Sequence, residues 1–329
     1  MSALAPTLQA FFTERLMAQR RASPHTVAAY RDTFCLLLAF VERRTGKSPA
    51  KLDLEDLDAA VVGAFLDHLE RERGNTARTR NARLAAIHSL FRFAALHHPE
   101  HAGGIERVLA IPQKRFERRI VSFLNDVEVA ALLAAPDRNA LLGRRDHALL
   151  LTAVQTGLRV SELVGLCGGD VVLDSGAHVR CLGKGRKERA TPLTSQTVDV
   201  LRLWIAERGG APADPLFCTS QGKALSRYGV GAIVARHADA AAASCPSLAS
   251  KAVSPHVLRH TAAMRLLHAG VDTTVIALWL GHEGVETTQI YVHADLTLKE
   301  RALARTAPIT SAPGRYRPQD DLLAFLEAL

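Results

Sequence analysis

The sequence predicts a multidomain protein of α and α+β class: an all-helical N-terminal domain of four helices, then a mostly helical domain with a small antiparallel sheet. Three observations predict this. A chain of 329 residues is long for one ordinary domain and suits two. The first third reads as helices only, with apolar residues recurring at helical spacing. Near residues 177–193 the pattern changes to two short strand-like runs around Gly183-Lys184-Gly185-Arg186, a hairpin turn.

The first domain is placed at 1–110. It opens with a short helix near residues 6–19. Ser23-Pro24 is a cap followed by a proline at the first helical position. Val27, Tyr30, Phe34, Leu37, Leu38 and Val41 then share one face, and Gly46 and Pro49 end the helix. A third helix carries Val61, Phe65, Leu66 and Leu69 and stops at Gly74. A fourth carries Leu84, Ile87, Leu90, Phe91 and Ala94 and stops at His98-Pro99.

Residues 111–120 read as a basic linker: Ile111 to Arg119 holds four cations, one anion and Pro112. It is a solvated connection or a segment lying along a phosphate backbone. The second domain is placed at 121–305 and opens on a capping box, Asn125 with Glu128. Helices are expected at 126–135, 144–156 and 160–166, strands at 177–182 and 187–193, and helices again from about Thr197. An alanine-rich stretch, 238–243, leads into a loop at 244–254. Residues 306–329 form a proline-containing tail that closes on a short helix with Leu322, Phe325, Leu326 and Leu329 on one face.

Composition narrows the class. Hydrophobic residues are 48% and charged residues 22%, the profile of a globular rather than a disordered chain. Forty-one Lys and Arg against 33 Asp and Glu give a net charge of +8, which suits a polyanionic partner. Five cysteines (Cys35, Cys167, Cys181, Cys218, Cys245) are scattered, which argues against a disulfide framework or zinc site and for a reducing, cytoplasmic compartment. The amphipathic N-terminus carries Glu14 and does not read as a signal peptide, and no run approaches a membrane span. No phosphate-binding Gly-x-x-x-x-Gly-Lys-Ser/Thr loop and no metal-ligand cluster is present, so no cofactor and no metal are expected.

Four fragments of the second domain carry the chemistry: Thr156-Gly157-Leu158-Arg159 with Glu162 and Leu163; Gly183-Lys184-Gly185-Arg186-Lys187-Glu188-Arg189; His256-Val257-Leu258-Arg259-His260; and Leu280-Gly281-His282, followed nine residues later by Tyr291. Each alone is weak, since an arginine after a glycine or a His and Arg three apart is ordinarily a surface feature. In this order and spacing the chain resembles the tyrosine recombinases, the phage integrase family, and within it the Xer-like and transposon-integrase members. The resemblance runs from the helical N-terminal domain through Tyr291. It implies a SAM-like N-terminal core DNA-binding domain and a catalytic set of Arg159, Lys184, His256, Arg259, His282 and Tyr291, all of the standard residue types.

The chemistry of those residues agrees. Attack on a phosphodiester builds charge on its non-bridging oxygens, and two guanidinium groups, Arg159 and Arg259, can clamp them. A tyrosine with a reference pKa near ~10 needs help to attack, and His256 is the candidate proton acceptor. Lys184, on a hairpin, is the candidate proton donor to the leaving 5′ oxygen, and His282 the partner of the scissile phosphate. The product is a 3′-phosphotyrosyl link, which conserves the bond energy, so rejoining needs no ATP, and the arginines take the place of a metal, so no Mg²⁺ is required.

Around this set, Glu162 either orients Arg159 or is a plain helix-face glutamate, and His260, Trp279 and Leu280 read as packing. Lys187 and Arg189 either touch phosphates or are solvated charges. On the first domain, Thr26, Arg31, Arg78, Arg80 and Arg83 are candidate DNA contacts; the apolar stripe on the fourth helix places its arginine side outward. The resemblance further implies a C-shaped clamp on double-stranded DNA, and a homo- or hetero-tetramer acting on two sites with two protomers cleaving at a time. It also implies a tail helix that docks on a neighbouring protomer, docking in cis being the other reading. A type IB topoisomerase and a non-catalytic DNA-binding relative are the rival functions.

Overall fold

The computed structural model describes residues 4–116, 121–183, 188–281 and 288. The chain divides into two compact units, Met1–Arg118 and Arg119–Leu329.

The first unit is all-helical. Helix α1 (Leu4–Ala10) runs directly into a wider, π-wound continuation, Phe11–Gln19. Helix α2 (Pro24–Thr45) starts as expected: the Ser23 side chain accepts the Thr26 N–H, Pro24 sits in the first turn, and Gly46 at φ 72° ends it. Helices α3 (Ala59–Arg71) and α4 (Ala77–His97) follow, capped by Asp58 and Thr76. Phe11 lies at the centre of the core, with ring contacts to Phe12, Tyr30, Phe34 and Phe93. Burying each such ring contributes about 1.5–3 kcal/mol.

Two expectations need correction here. The unit has a fifth helix, α5 (Ala102–Leu109), which packs Ile105 and Val108 into the same core. And the first half of the linker is not a free solvated connection. Arg80 donates to the Pro112 carbonyl at 3.1 Å, while Asn81 both donates to the Lys114 carbonyl at 2.8 Å and accepts the Lys114 N–H at 3.0 Å. Lys114 Nζ also reaches Glu70 at 2.6 Å. Residues 111–116 are thus laid along α3 and α4.

In the second unit, α6 (Asp126–Ala134) begins on the predicted box: Asn125 Oδ1 accepts the Glu128 N–H and Glu128 accepts the Asn125 N–H, each at 2.9 Å. Helix α7 (Leu141–Thr156) is buried over most of its length and packs against α9 (Ser195–Arg208) and α11 (Pro255–His268). Between them lie α8 (Val160–Gly165) and an antiparallel sheet in order β1 (Val171–Val172), β2 (His178–Leu182), β3 (Glu188–Pro192). The two predicted strands pair from His178 opposite Pro192 to Leu182 opposite Glu188, and β1 is an addition to the expected pair. Helices α10 (Arg227–Ala241) and α12 (Thr273–Leu280) complete the unit. Its core gathers Leu149, Leu150, Leu201, Phe217, Val234 and Leu258. Among the described residues no helix is long and apolar enough to cross a membrane.

Candidate functional site

Helix α7 ends at Gly157, whose φ of 65° favours glycine, and where a Cβ would lie 2.6 Å from the Leu280 side chain. The tight join delivers Arg159 to the start of α8 next to the end of α12. There Arg159 Nη2 donates to the Gly281 carbonyl at 2.9 Å. From α11, Arg259 Nη2 donates to the neighbouring Leu280 carbonyl at 2.7 Å and Nη1 to the Gly157 carbonyl at 2.7 Å. Two guanidinium groups are therefore held on adjacent carbonyls at the C-terminal end of one helix, where backbone partial charge favours cations. Arg259 is 4% exposed, while the Arg159 side chain keeps 31% of its surface open. Trp279 Nε1 ties the same end of α12 to the Thr156 carbonyl at 3.1 Å.

Glu162 is more than a helix-face glutamate. It is 6% exposed and accepts the Arg159 backbone N–H at 2.7 Å and Arg159 Nη1 at 3.0 Å. Burial pushes its carboxyl upward, but the hydrogen bonds from Arg189 and from the Arg159 N–H outweigh that and hold it below the usual glutamate range. Arg189, from β3, forks onto both Glu162 oxygens at 2.8 Å each. Here the expectation of a solvated charge gives way, because the Arg189 side chain is 11% exposed and each terminal nitrogen donates to a buried carboxylate.

His256 stands exposed in the first turn of α11, which Ser254 caps and Pro255 opens. Its ring centroid is 4.1 Å from that of His260 one turn on. His260 is packed as expected, and burial first, then the neighbouring His256, bring its pKa down to about 4, so it is neutral near pH 7. Its Nδ1 lies 3.3 Å from the Ser122 carbonyl, and Thr261 Oγ1 accepts the Leu124 N–H at 2.9 Å. Lys251, which the sequence did not single out, donates to the Phe123 carbonyl at 2.9 Å and to the buried Glu128 at 2.7 Å. Residues 122–124 are thereby strapped to the helix that carries His256 and Arg259. Of the six predicted catalytic residues the structure places Arg159, His256 and Arg259; Lys184, His282 and Tyr291 lie outside the described residues, as do Lys187 and the tail helix. Gly281, whose carbonyl holds Arg159, directly precedes His282 in the chain. Among the described residues no group of three or more His, Cys, Asp or Glu could hold a metal ion.

On the first unit, a cleft of about 660 Å³ opens between the first turns of α2 and α4, lined by His25, Thr26, Tyr30, Arg78, Thr79 and Arg83 among others. It gathers three of the five predicted contact residues. Arg78 is exposed, and Arg83 Nη1 donates to Thr33 at 3.1 Å. Arg31 is exposed on α2 and paired with Asp32. Arg80 is the exception: it is 6% exposed and turned onto the Pro112 carbonyl and Asn81, so it does not face a groove. The signal was in the sequence, since Arg80 stands four, seven and eleven residues before Leu84, Ile87 and Phe91, on the buried face.

Comparison with known proteins bears directly on this arrangement. Residues 122–297 match the phage integrase family and residues 10–98 its N-terminal SAM-like domain. The Sinorhizobium fredii protein named "Putative integrase/recombinase y4rC" is 56% identical over 328 residues, covering 100% of this chain and 99% of that protein. A tyrosine recombinase XerC of Pelobacter propionicus is 36% identical over 290 residues, covering 87% of this chain and 90% of that protein. Among solved structures, a XerH site-specific recombinase bound to a palindromic difH substrate superposes with a TM-score of 0.67 at 23% identity, covering 87% of this chain and 81% of that one. A Tn1549 transposon integrase in complex with circular intermediate DNA does so with a TM-score of 0.67 at 17% identity, covering 92% and 99%. These two share the fold. With the family matched over residues 10–98 and 122–297, the chain belongs to the phage integrase family and is a tyrosine recombinase, an enzyme of site-specific DNA breakage and rejoining.

Proposed function

We propose that Arg159 and Arg259 clamp the non-bridging oxygens of the scissile phosphate while the Tyr291 hydroxyl attacks phosphorus. His256 accepts the phenolic proton, Lys184 donates one to the departing 5′ oxygen, and His282 hydrogen-bonds the phosphate. The protein is left joined to the 3′ phosphate, and rejoining runs the same steps backwards with a 5′ hydroxyl as the nucleophile. The observation that carries this reading is the anchoring of both guanidinium groups on the Leu280 and Gly281 carbonyls, one residue from His282. Donors fixed before substrate arrives stabilise developing charge without reorganising in the transition state. The cleft between α2 and α4 supplies the DNA contacts of the first unit, through Thr26, Arg78 and Arg83, with Arg31 beside it. The working unit is a homo- or hetero-tetramer on two DNA sites, acting in the cytoplasm at the nucleoid. A role in DNA integration is supported by the name of the Sinorhizobium relative.

A nicked suicide substrate tests this. The wild type is expected to form a denaturant-stable covalent adduct in EDTA without nucleotide, and Tyr291→Phe to bind the same DNA and form none. An adduct from the Phe variant overturns the assignment of Tyr291; loss of activity on chelation, restored by Mg²⁺, overturns the metal-free arginine clamp.

A further inference from the structure

The sequence offers Arg189 as a phosphate contact or a solvated charge; the structure instead packs it into the unit and pairs it with Glu162. Its side chain is 11% exposed and bridges three pieces of the unit. It belongs to β3, opposite Cys181 of β2. Its two terminal nitrogens fork onto Glu162 of α8, each at 2.8 Å. Its side chain lies beside Gly281 at the end of α12, where an added Cβ would meet Nη1 at 2.6 Å and Cδ at 3.2 Å. Glu162 and Gly281 are the two residues that hold Arg159, through Glu162 Oε1 and Oε2 and the Gly281 carbonyl. On its other side, Arg189 is five residues from Lys184 in the chain, just past the pair Leu182 and Glu188 that closes the hairpin.

The geometry points to Arg189 as a positioning residue for strand cleavage, fixing the β2–β3 hairpin to the Glu162 carboxylate and through it setting the Arg159 guanidinium. A planar fork on a carboxylate fixes orientation as well as distance, which a point charge does not. The hairpin has no other described side-chain hydrogen bond to Glu162, and Glu162 is the only described carboxylate bonded to Arg159. One residue therefore registers the element bearing the proposed proton donor against the element bearing half of the proposed clamp. This inference rests on the proposed roles of Lys184 and Arg159.

The test is single-turnover cleavage of a nicked suicide substrate, with the ordinary 5′ bridging oxygen and with sulfur in its place, because a thiolate leaves without a proton. The variants are Arg189→Lys, Arg189→Ala, Glu162→Gln, Arg189→Lys with Glu162→Gln, Lys184→Ala and Arg159→Ala. Arg189→Lys is expected to cleave the ordinary substrate roughly tenfold more slowly and Arg189→Ala roughly 100-fold, the scale of a small misplacement of reacting groups, with DNA affinity at the wild-type value. Sulfur is expected to restore Lys184→Ala fully, Arg189→Lys in part and Arg159→Ala not at all. In the Glu162→Gln background, Arg189→Lys is expected to add little, since the two residues act as one unit. Should Arg189→Ala strand the Glu162 charge and fail to fold, Arg189→Lys carries the test alone. Wild-type cleavage by Arg189→Lys overturns the inference. So does weakened DNA binding with cleavage intact, which is the signature of a phosphate contact, and so does a full additional loss in the Glu162→Gln background. Failure of sulfur to restore Lys184→Ala overturns instead the role given to Lys184, and the Arg189–Glu162 coupling then decides the positioning role by itself.

Discussion

The cleft of the first unit and the arginine site of the second both present cations, but they hold them differently. In the cleft, Arg78 is exposed and Arg83 has one hydroxyl partner, Thr33. In the site, Arg259 is nearly buried on two carbonyls, and Arg159 is held by a carboxylate and a carbonyl. A long cation free in water loses rotamer entropy when it meets a phosphate and is screened by salt, which suits adaptable, reversible binding. A cation already fixed loses little further freedom when charge develops beside it, which suits catalysis. The difference teaches that the same residue type serves binding or rate according to what holds it before DNA arrives.

The largest expected effect tests the fixed side. Arg259→Ala should slow single-turnover cleavage about 10²–10³-fold, in line with lost oxyanion donors, while gel-shift affinity for a single site stays near wild type. An equal loss in both would make Arg259 a binding residue and erase the contrast. Glu162→Gln comes next. It leaves Arg159 and Arg189 without their counter-charge and should destabilise the second unit by about 3 kcal/mol, the low end for breaking a buried pair. The sign follows from its depressed pKa: the stabilisation is present above the unfolded glutamate value and lost as pH falls through the folded one. The difference in melting temperature between wild type and variant should therefore shrink under acid; a gap that persists at low pH would show the carboxylate charge to be irrelevant.

His260 shows a third way of holding charge, by excluding it. Its pKa of about 4 lies below the ordinary 6.5, so the unfolded chain takes up a proton in that interval and the folded chain does not. Stability should fall as pH drops from 6.5 towards 4, by up to roughly 3 kcal/mol from this group. His260→Phe should flatten that part of the profile. Identical profiles in denaturant titrations would mean that the buried imidazole is not the sensor.

The smallest effects sharpen the cleft side. Arg78→Ala should weaken binding mildly for any DNA sequence and reduce the slope of log affinity against log salt by about 1. Arg80→Ala should leave that slope alone and lower the stability of the first unit by about 1–3 kcal/mol, because the Pro112 carbonyl loses its side-chain donor and Asn81 loses one of its hydrogen bonds. Reversed outcomes would mean that burial, as seen here, does not separate binding arginines from structural ones.

What was legible in the sequence was whatever depends on near neighbours. The Ser23-Pro24 start, the Asn125–Glu128 box and the pairing of β2 with β3 all rest on groups close together in the chain. Helix α5 was missed because Gly103-Gly104 opens it against helix propensity; packing of Ile105 and Val108 into the core outweighs that cost. The two-residue strand β1 is too short to show a period. In the site, residue types and order were legible, but the partners were not: Arg159 meets the Gly281 carbonyl across 122 residues, and Lys251 meets Glu128 across 123. Nothing local encodes such a meeting.

The two glycines at this junction carry a genetic consequence. Gly157 and Gly281 have no side chain to offer DNA, yet each has a φ near 65° and each would press a new Cβ against a neighbour, Leu280 in one case and Arg189 in the other. Even alanine, the smallest replacement, meets both penalties at once. A random-mutagenesis screen for chains that fold and bind DNA but no longer recombine should therefore return these two positions beside the charged residues, enlarging the mutational target of the enzyme beyond the groups that perform its chemistry.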